Sequence, residues 1–315
     1  MAKLWNKIKS FSRHFKRAFT IWNDHEPFNN SIIISYYTIF SLPGLLVIII
    51  NLAGYFFGYE AVTDQIATQI QGLVGGDTAE DVQEIVANAS ASKESTIASV
   101  IGIGTLLFGA TGVFYQLQQI LNKIWNVKPK PKQKLLRLIR DRFFSFGLIL
   151  AIGFLLLVSL VISAGLTALS DWVAVHISEA LLIVFRGADL LVSAGVITLL
   201  FAAIYKFLPD ATIRWREVWP GALVTAVLFV IAKFALGLYF GKSDPASTYG
   251  AAGSVILIML WVSYSGLILL YGAAFTYAYA TRNGREIKPT PGAEKISDTD
   301  NGASKKQETQ QRNLD

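Results

Sequence analysis

Apolar positions along the chain gather into six long stretches, roughly 31–57, 97–121, 143–170, 181–207, 218–240 and 249–280. Each reaches or exceeds the about 20 residues that a helix needs to cross a bilayer core. The pattern predicts an all-α, polytopic membrane protein with six transmembrane helices, occupying residues 31–280. Ahead of it, Leu4, Trp5, Ile8, Phe11, Phe15, Phe19 and Trp22 recur at helical spacing among Lys and Arg, which predicts an amphipathic helix lying in the inner interface within residues 1–30. No apolar run of about 7–15 residues follows these early charges before Ile32, so a cleaved signal is not expected. Residues 58–96 form an acidic segment expected outside, a solvated cap rather than a calcium loop. Residues 281–315, dominated by polar positions from Arg285 onward, are expected to be a disordered cytoplasmic tail.

Composition strengthens this reading. Of 315 residues 53% are hydrophobic and 16% charged, against about 25% charged in soluble domains. That argues against a cytosolic enzyme, and the absence of cysteine removes disulfides, thiolate metal sites and thiol nucleophiles. The net charge of +6 is explained by topology. Nearly all Lys and Arg fall in segments that share one side if both termini are cytoplasmic, while Lys93 and Lys242 fall outside and Arg186 and Lys233 within spans. Anionic membrane lipids are thus the expected partners; nucleic acid is not needed.

Several positions carry candidate chemistry. Pro43 interrupts the first span, as a packing kink or a cavity-lining break. In the second, Gly102, Thr105, Gly109, Gly112, Gln116 and Gln119 share one helix face. Its small residues suit close helix packing, and its two amides suit either packing or a polar pathway. Lys128, Lys130, Lys132, Lys134, Arg137, Arg140 and Arg142 follow, a basic loop whose default role is binding anionic headgroups. Counting outward from the loop between spans four and five places Asp189 and Lys233 both about 27–30 Å from it, at 1.5 Å per residue. They are expected to meet in a polar cluster with Arg186, as a structural pair or as part of a substrate path. Trp261, Tyr264 and Tyr271 fit ordinary packing. Asp24-His25-Glu26, before Pro27, fits helix capping better than a metal site. No metal site, cofactor or catalytic residue is expected.

Three stretches resemble the YihY and BrkB family of bacterial inner-membrane proteins, formerly labelled ribonuclease BN-like. They are Ser35-Tyr36-Tyr37-Thr38-Ile39-Phe40-Ser41-Leu42-Pro43, then Gln116 through Trp125, and Tyr249 through Tyr271 with the following Gly272-Ala273. Members often carry a glutamate after that Gly-Ala pair, where this chain has Ala274. The resemblance implies an inner-membrane location and a part in moving lipid or other envelope molecules, and it implies no catalytic residues. Metal-assisted phosphodiester cleavage would need clustered ligands, which His14, His25 and His176 do not provide. The expected function is therefore transport or flipping of an amphipathic, anionic, lipid-like substrate through Gln116, Gln119, Arg186, Asp189 and Lys233. The other reading is a non-transporting membrane scaffold or homo-oligomer in which the same faces are helix glue.

Overall fold

A computed structural model describes residues 2–41, 58, 112–130, 179–243 and 253–296. Among them are six α-helices: α1 (Ala2–Asn23), α2 (27–41), α3 (112–124), α4 (Glu179–Phe207), α5 (Trp215–Ser243) and α6 (Gly253–Ala280). Two short antiparallel ribbons accompany them. β1 (Val127–Pro129) pairs with β4 (Ala293–Lys295), and β2 (Ala211–Thr212) pairs with β3 (Lys288–Pro289).

Local chemistry sets the helix ends. α1 stops where Glu26 takes a φ of 47°, and Pro27 opens α2 at a position whose missing N–H is no loss. The Asn30 amide donates to the carbonyls of His25 (2.7 Å) and Glu26 (3.1 Å), fixing the bend. α5 begins with half of a capping box, the Glu217 carboxylate accepting the Arg214 backbone N–H at 3.2 Å. α3 is followed by Asn126 at φ 60°, a left-handed exit that Asn tolerates.

The expectation of six spans is corrected. Among the described residues two helical segments, Trp215–Tyr239 and Val255–Ala280, are long and apolar enough to cross a membrane, and Leu191–Phe207 is apolar but shorter. An apolar run records that residues avoid water, not whether lipid or protein covers them. In α2 the buried Ile34 and Ser35 face protein while Ile32, Ile33 and Tyr36 are exposed. The third predicted span, 143–170, lies outside the described residues, as do the first beyond Ser41 and most of the second.

α6 is the central element. Its C-terminal half buries Ala273, Ala274, Phe275, Thr276 and Ala278 completely, and the small side chains among them let neighbours approach on two sides. On one side α1 lays its apolar face along it: Phe15 meets Phe275 edge-on (5.0 Å), and the Trp22 indole donates to the Leu267 carbonyl at 3.1 Å. At least part of the face expected to sit on lipid is thus occupied by protein.

On the other side α5 crosses α6 through a reciprocal motif. A Cβ on Gly272 would overlap the Thr225 hydroxyl and the Tyr205 phenol, and a Cβ on Gly221 would overlap the Thr276 hydroxyl. Each threonine donates to the carbonyl four residues back, Thr225 to Gly221 (2.7 Å) and Thr276 to Gly272 (2.8 Å). Neither hydroxyl is left unmet at the crossing.

The stretch from Arg285 also departs from expectation, since it folds through Ile296 instead of staying disordered. The Thr290 N–H donates to the Asp210 carbonyl (2.9 Å), the Ile296 N–H to the Asn126 carbonyl (3.0 Å), and Arg285 pairs with Glu217. Polar composition predicts a weak core, but these residues are held by edge pairing to β1 and β2, to which composition is blind. Residues 297–315 lie outside the described residues.

Candidate functional site

α2 runs antiparallel to the N-terminal half of α6, and between them lies an open groove of about 450 Å³, within the range of about 300–1,000 Å³ that small ligands occupy. Its walls are Phe28, Ile32, Ile256, Met259, Leu260 and Leu267, joined by Ser31, Ser35, Ser263 and Tyr264. The closest point of the two helices is small: a Cβ on Gly266 would press against Ser31.

Hydroxyl chemistry inside the groove is largely closed. Ser31 donates to the Phe28 carbonyl (2.9 Å) and Ser35 to the Ile32 carbonyl (2.8 Å), while Ser263 donates to the Ser35 hydroxyl (3.0 Å). Polar atoms in an apolar wall are tolerated when satisfied in this way. Among the described residues no ionisable carboxylate, amine or guanidinium lines the groove. The described lining is mainly apolar.

The polar groups stand at one end, one turn away. There the Gln116 amide of α3 donates to the Asn30 side-chain oxygen at 3.3 Å, beside the α1–α2 bend with its exposed Glu26 and Asn29. Gln119 on the same helix is exposed, and Gly112 lies under the Tyr37 ring, which a Cβ there would overlap.

The remaining expected positions fall apart in space. Tyr205 bonds Thr225 (2.9 Å) and Phe201 meets Phe229 (5.8 Å), which fixes the α4–α5 register. Continued outward, it puts Lys233 level with Ile197, eight residues from Asp189 or about 12 Å along the axis. Equal counting from the loop overlooks that the first turns of α5 extend past the end of α4. Lys233 is half-buried, and no ion pair of it occurs among the described residues. Arg186 and Asp189 lie in α4 farther from the inner loop. Lys128 pairs with Glu294 across the β1–β4 ribbon (3.7 Å), and Lys130 is exposed. Pro43, Gly102, Gly109, Lys132, Lys134, Arg137, Arg140, Arg142 and the acidic segment apart from Gly58 lie outside the described residues. Among the described residues no group of three or more His, Asp or Glu side chains could hold a metal.

Sequence reasoning missed the groove and the α5–α6 crossing. The readable signal for the crossing is a Gly followed four residues later by Thr on both helices, Gly221/Thr225 and Gly272/Thr276. For the groove it is serines at helical spacing, Ser31 and Ser35, matched by Ser263 near the middle of α6.

A family model described as virulence factor BrkB matches residues 18–297. The chain belongs to the BrkB family. Similar proteins include UPF0761 membrane proteins of Delftia acidovorans, 29% identical over 59% of this chain and 42% of that protein, and of Saccharophagus degradans, 26% identical over 79% and 55%. Another, from Alteromonas mediterranea, is 28% identical over 77% of this chain and 79% of its own length. The chain therefore spans about half the length of the first of these relatives. No solved structure matches. BrkB membership and the apolar helices make this a multi-pass protein of the inner membrane.

Proposed function

We propose that this BrkB-family protein moves lipid-like envelope amphiphiles, holding the apolar part of the substrate in the α2–α6 groove and its polar part against Asn30 and Gln116. The observation that carries the reading is the groove itself: mainly apolar and open, with one end beside an amide pair. The basic loop from Lys128 to Arg142 would gather anionic headgroups at the inner face.

The non-transporting scaffold draws on a different observation, the fully buried Gly–Thr crossing of α5 and α6, which leaves no path between those two helices. One experiment separates the readings. Purified protein in vesicles is expected to speed exchange of a fluorescent phospholipid between leaflets, and Ser263→Trp, which fills the groove, is expected to lower that rate several-fold. Leu191→Trp, on the exposed face of α4, should leave it unchanged. A wild-type protein that moves neither anionic nor zwitterionic lipid, or one indifferent to Ser263→Trp, overturns the transport reading in favour of the scaffold.

A further inference from the structure

At the turn of the α4–α5 hairpin stand basic side chains, two of them without an ion-pair partner among the described residues, next to exposed aromatics. Lys206 donates its ammonium to the Ile213 carbonyl and stands 6.0 Å from the Trp215 ring centroid. Arg214 and Arg216 are exposed, and neither guanidinium has an ion-pair partner among the described residues. The carboxylates of this turn are engaged elsewhere: Glu217 by Arg285 and by the Arg214 backbone, and Asp210, buried, by Asn122.

The aromatics beside these charges form a connected ledge. Phe207 meets Trp215 edge-on at 5.7 Å, Trp215 meets Trp219 at 6.2 Å, and all three are more than a third exposed. From Trp219 the exposed face of α5 continues through Leu223, Val227, Ile231, Phe234 and Leu238, at spacings of four or three that keep one stripe in line. Trp at the inner end and the exposed Tyr239 at the outer end are the residues expected at the two water boundaries of a membrane helix.

We infer that this corner is a binding site for an anionic phospholipid, with the phosphate held by Arg214 and Arg216 and the acyl chains lying along the near half of the stripe, from Trp219 through Leu223 and Val227, about the depth of one leaflet. Two observations select this occupant. The charge is positive and unpaired among the described residues, in the fork-shaped form that matches a phosphate oxygen pair. The exposed aromatics and the apolar stripe start at the same point as the arginines, so headgroup and acyl chain are met together, whereas a soluble phosphate would engage the arginines alone. The site lies on a helix face distinct from the α2–α6 groove and does not depend on transport.

The test uses the full chain in phosphatidylcholine vesicles containing brominated phosphatidylglycerol, with quenching of tryptophan emission reporting occupancy. Subtracting the Trp215→Phe/Trp219→Phe signal isolates the corner. The expected result is a preference for brominated phosphatidylglycerol over brominated phosphatidylcholine of about thirtyfold, the order that two basic side chains near an anionic surface supply. Arg214→Gln/Arg216→Gln is expected to reduce the preference to parity. Should that variant fail to fold, Arg214→Lys/Arg216→Lys keeps the charge without the fork and is expected to lose part of the preference. Glycerophosphoglycerol, the headgroup without chains, should not compete. Equal quenching by both lipids in the wild type, an undiminished preference in the variants, or competition by the soluble headgroup overturns the assignment.

Discussion

Asn122 and Asp210 hold each other through two hydrogen bonds at once. The Asn122 amide donates to the Asp210 carboxylate at 2.8 Å, and the Asp210 backbone N–H donates to the Asn122 side-chain oxygen at 2.8 Å. Both residues are buried. The pair fastens the end of α3 to the turn between α4 and α5, and the Asp210 carbonyl in turn accepts from the Thr290 backbone and hydroxyl. One residue, Asp210, therefore gathers three segments that are far apart in sequence, through its carboxylate, its N–H and its carbonyl.

Removing that fastening should be costly. Asn122→Ala deletes a donor to a buried carboxylate and the acceptor of a buried N–H, so a loss of about 2–3 kcal/mol is expected. Lys123→Ala, at an exposed neighbour, should stay within about 0.5 kcal/mol. Thermal unfolding of the two variants in detergent decides it, and equal midpoints would mean that the pair is dispensable.

The α5–α6 crossing makes a prediction about rescue. Gly272→Ala places a methyl group against the Thr225 hydroxyl, an overpacking expected to cost about 1–3 kcal/mol. Thr225→Ala opens that space while forfeiting bonds to Tyr205 and Gly221. The double variant should therefore be more stable than the sum of the two single losses predicts. Strict additivity in unfolding midpoints would show that the two residues do not meet.

How much of this was legible follows from the range of each interaction. The apolar runs of α5 and α6 and the hairpin of α4 and α5 are written locally, in periodicity and loop length. The depth of Asp189 relative to Lys233 is not, because a two-turn overhang of one helix shifts every pairing along it and no residue in the loop announces it. The ribbons were also hidden. Strands of two or three residues carry no pattern, and β3 and β4 acquire their meaning only from Ala211 and Val127, far away in sequence. The groove fell between these cases: its serines were visible but unremarkable until α2 and α6 were seen side by side. The resemblance carried by the Gln116–Trp125 stretch was legible without its reason, which the Asn122–Asp210 clamp supplies in part.

Gly292 tests the ribbon. It turns the chain between β3 and β4 at a φ of 99°, and its carbonyl accepts the Lys130 N–H at 3.0 Å. A side chain there is strained, at a cost of about 1–3 kcal/mol, borne locally by a ribbon with little core. Gly292→Val is expected to speed tryptic cleavage at Arg285 and Lys295 while leaving the main unfolding midpoint nearly unchanged. Unaltered cleavage would mean that the tail is not held in this turn.

Trp125 offers the sharpest test of the packing at the inner end. It is 1% exposed, within the core formed by Ile120, Leu121, Ile124, Val127 and Ile213, and its indole N–H has no acceptor among the described residues. A buried donor without a partner costs about 1–3 kcal/mol, whereas the apolar bulk of the ring stabilises the core around it. Trp125→Phe removes the unmet donor and part of the bulk together, so the two effects oppose each other and a net change within about 1 kcal/mol is expected. Trp125→Ala keeps neither, and a loss of about 3–5 kcal/mol is expected. Unfolding midpoints should then rank Trp125→Phe beside the wild type and far from Trp125→Ala. If phenylalanine proves as damaging as alanine, the indole N–H contributes a bond of its own, and the inner end is organised around that bond as well as around Asn122.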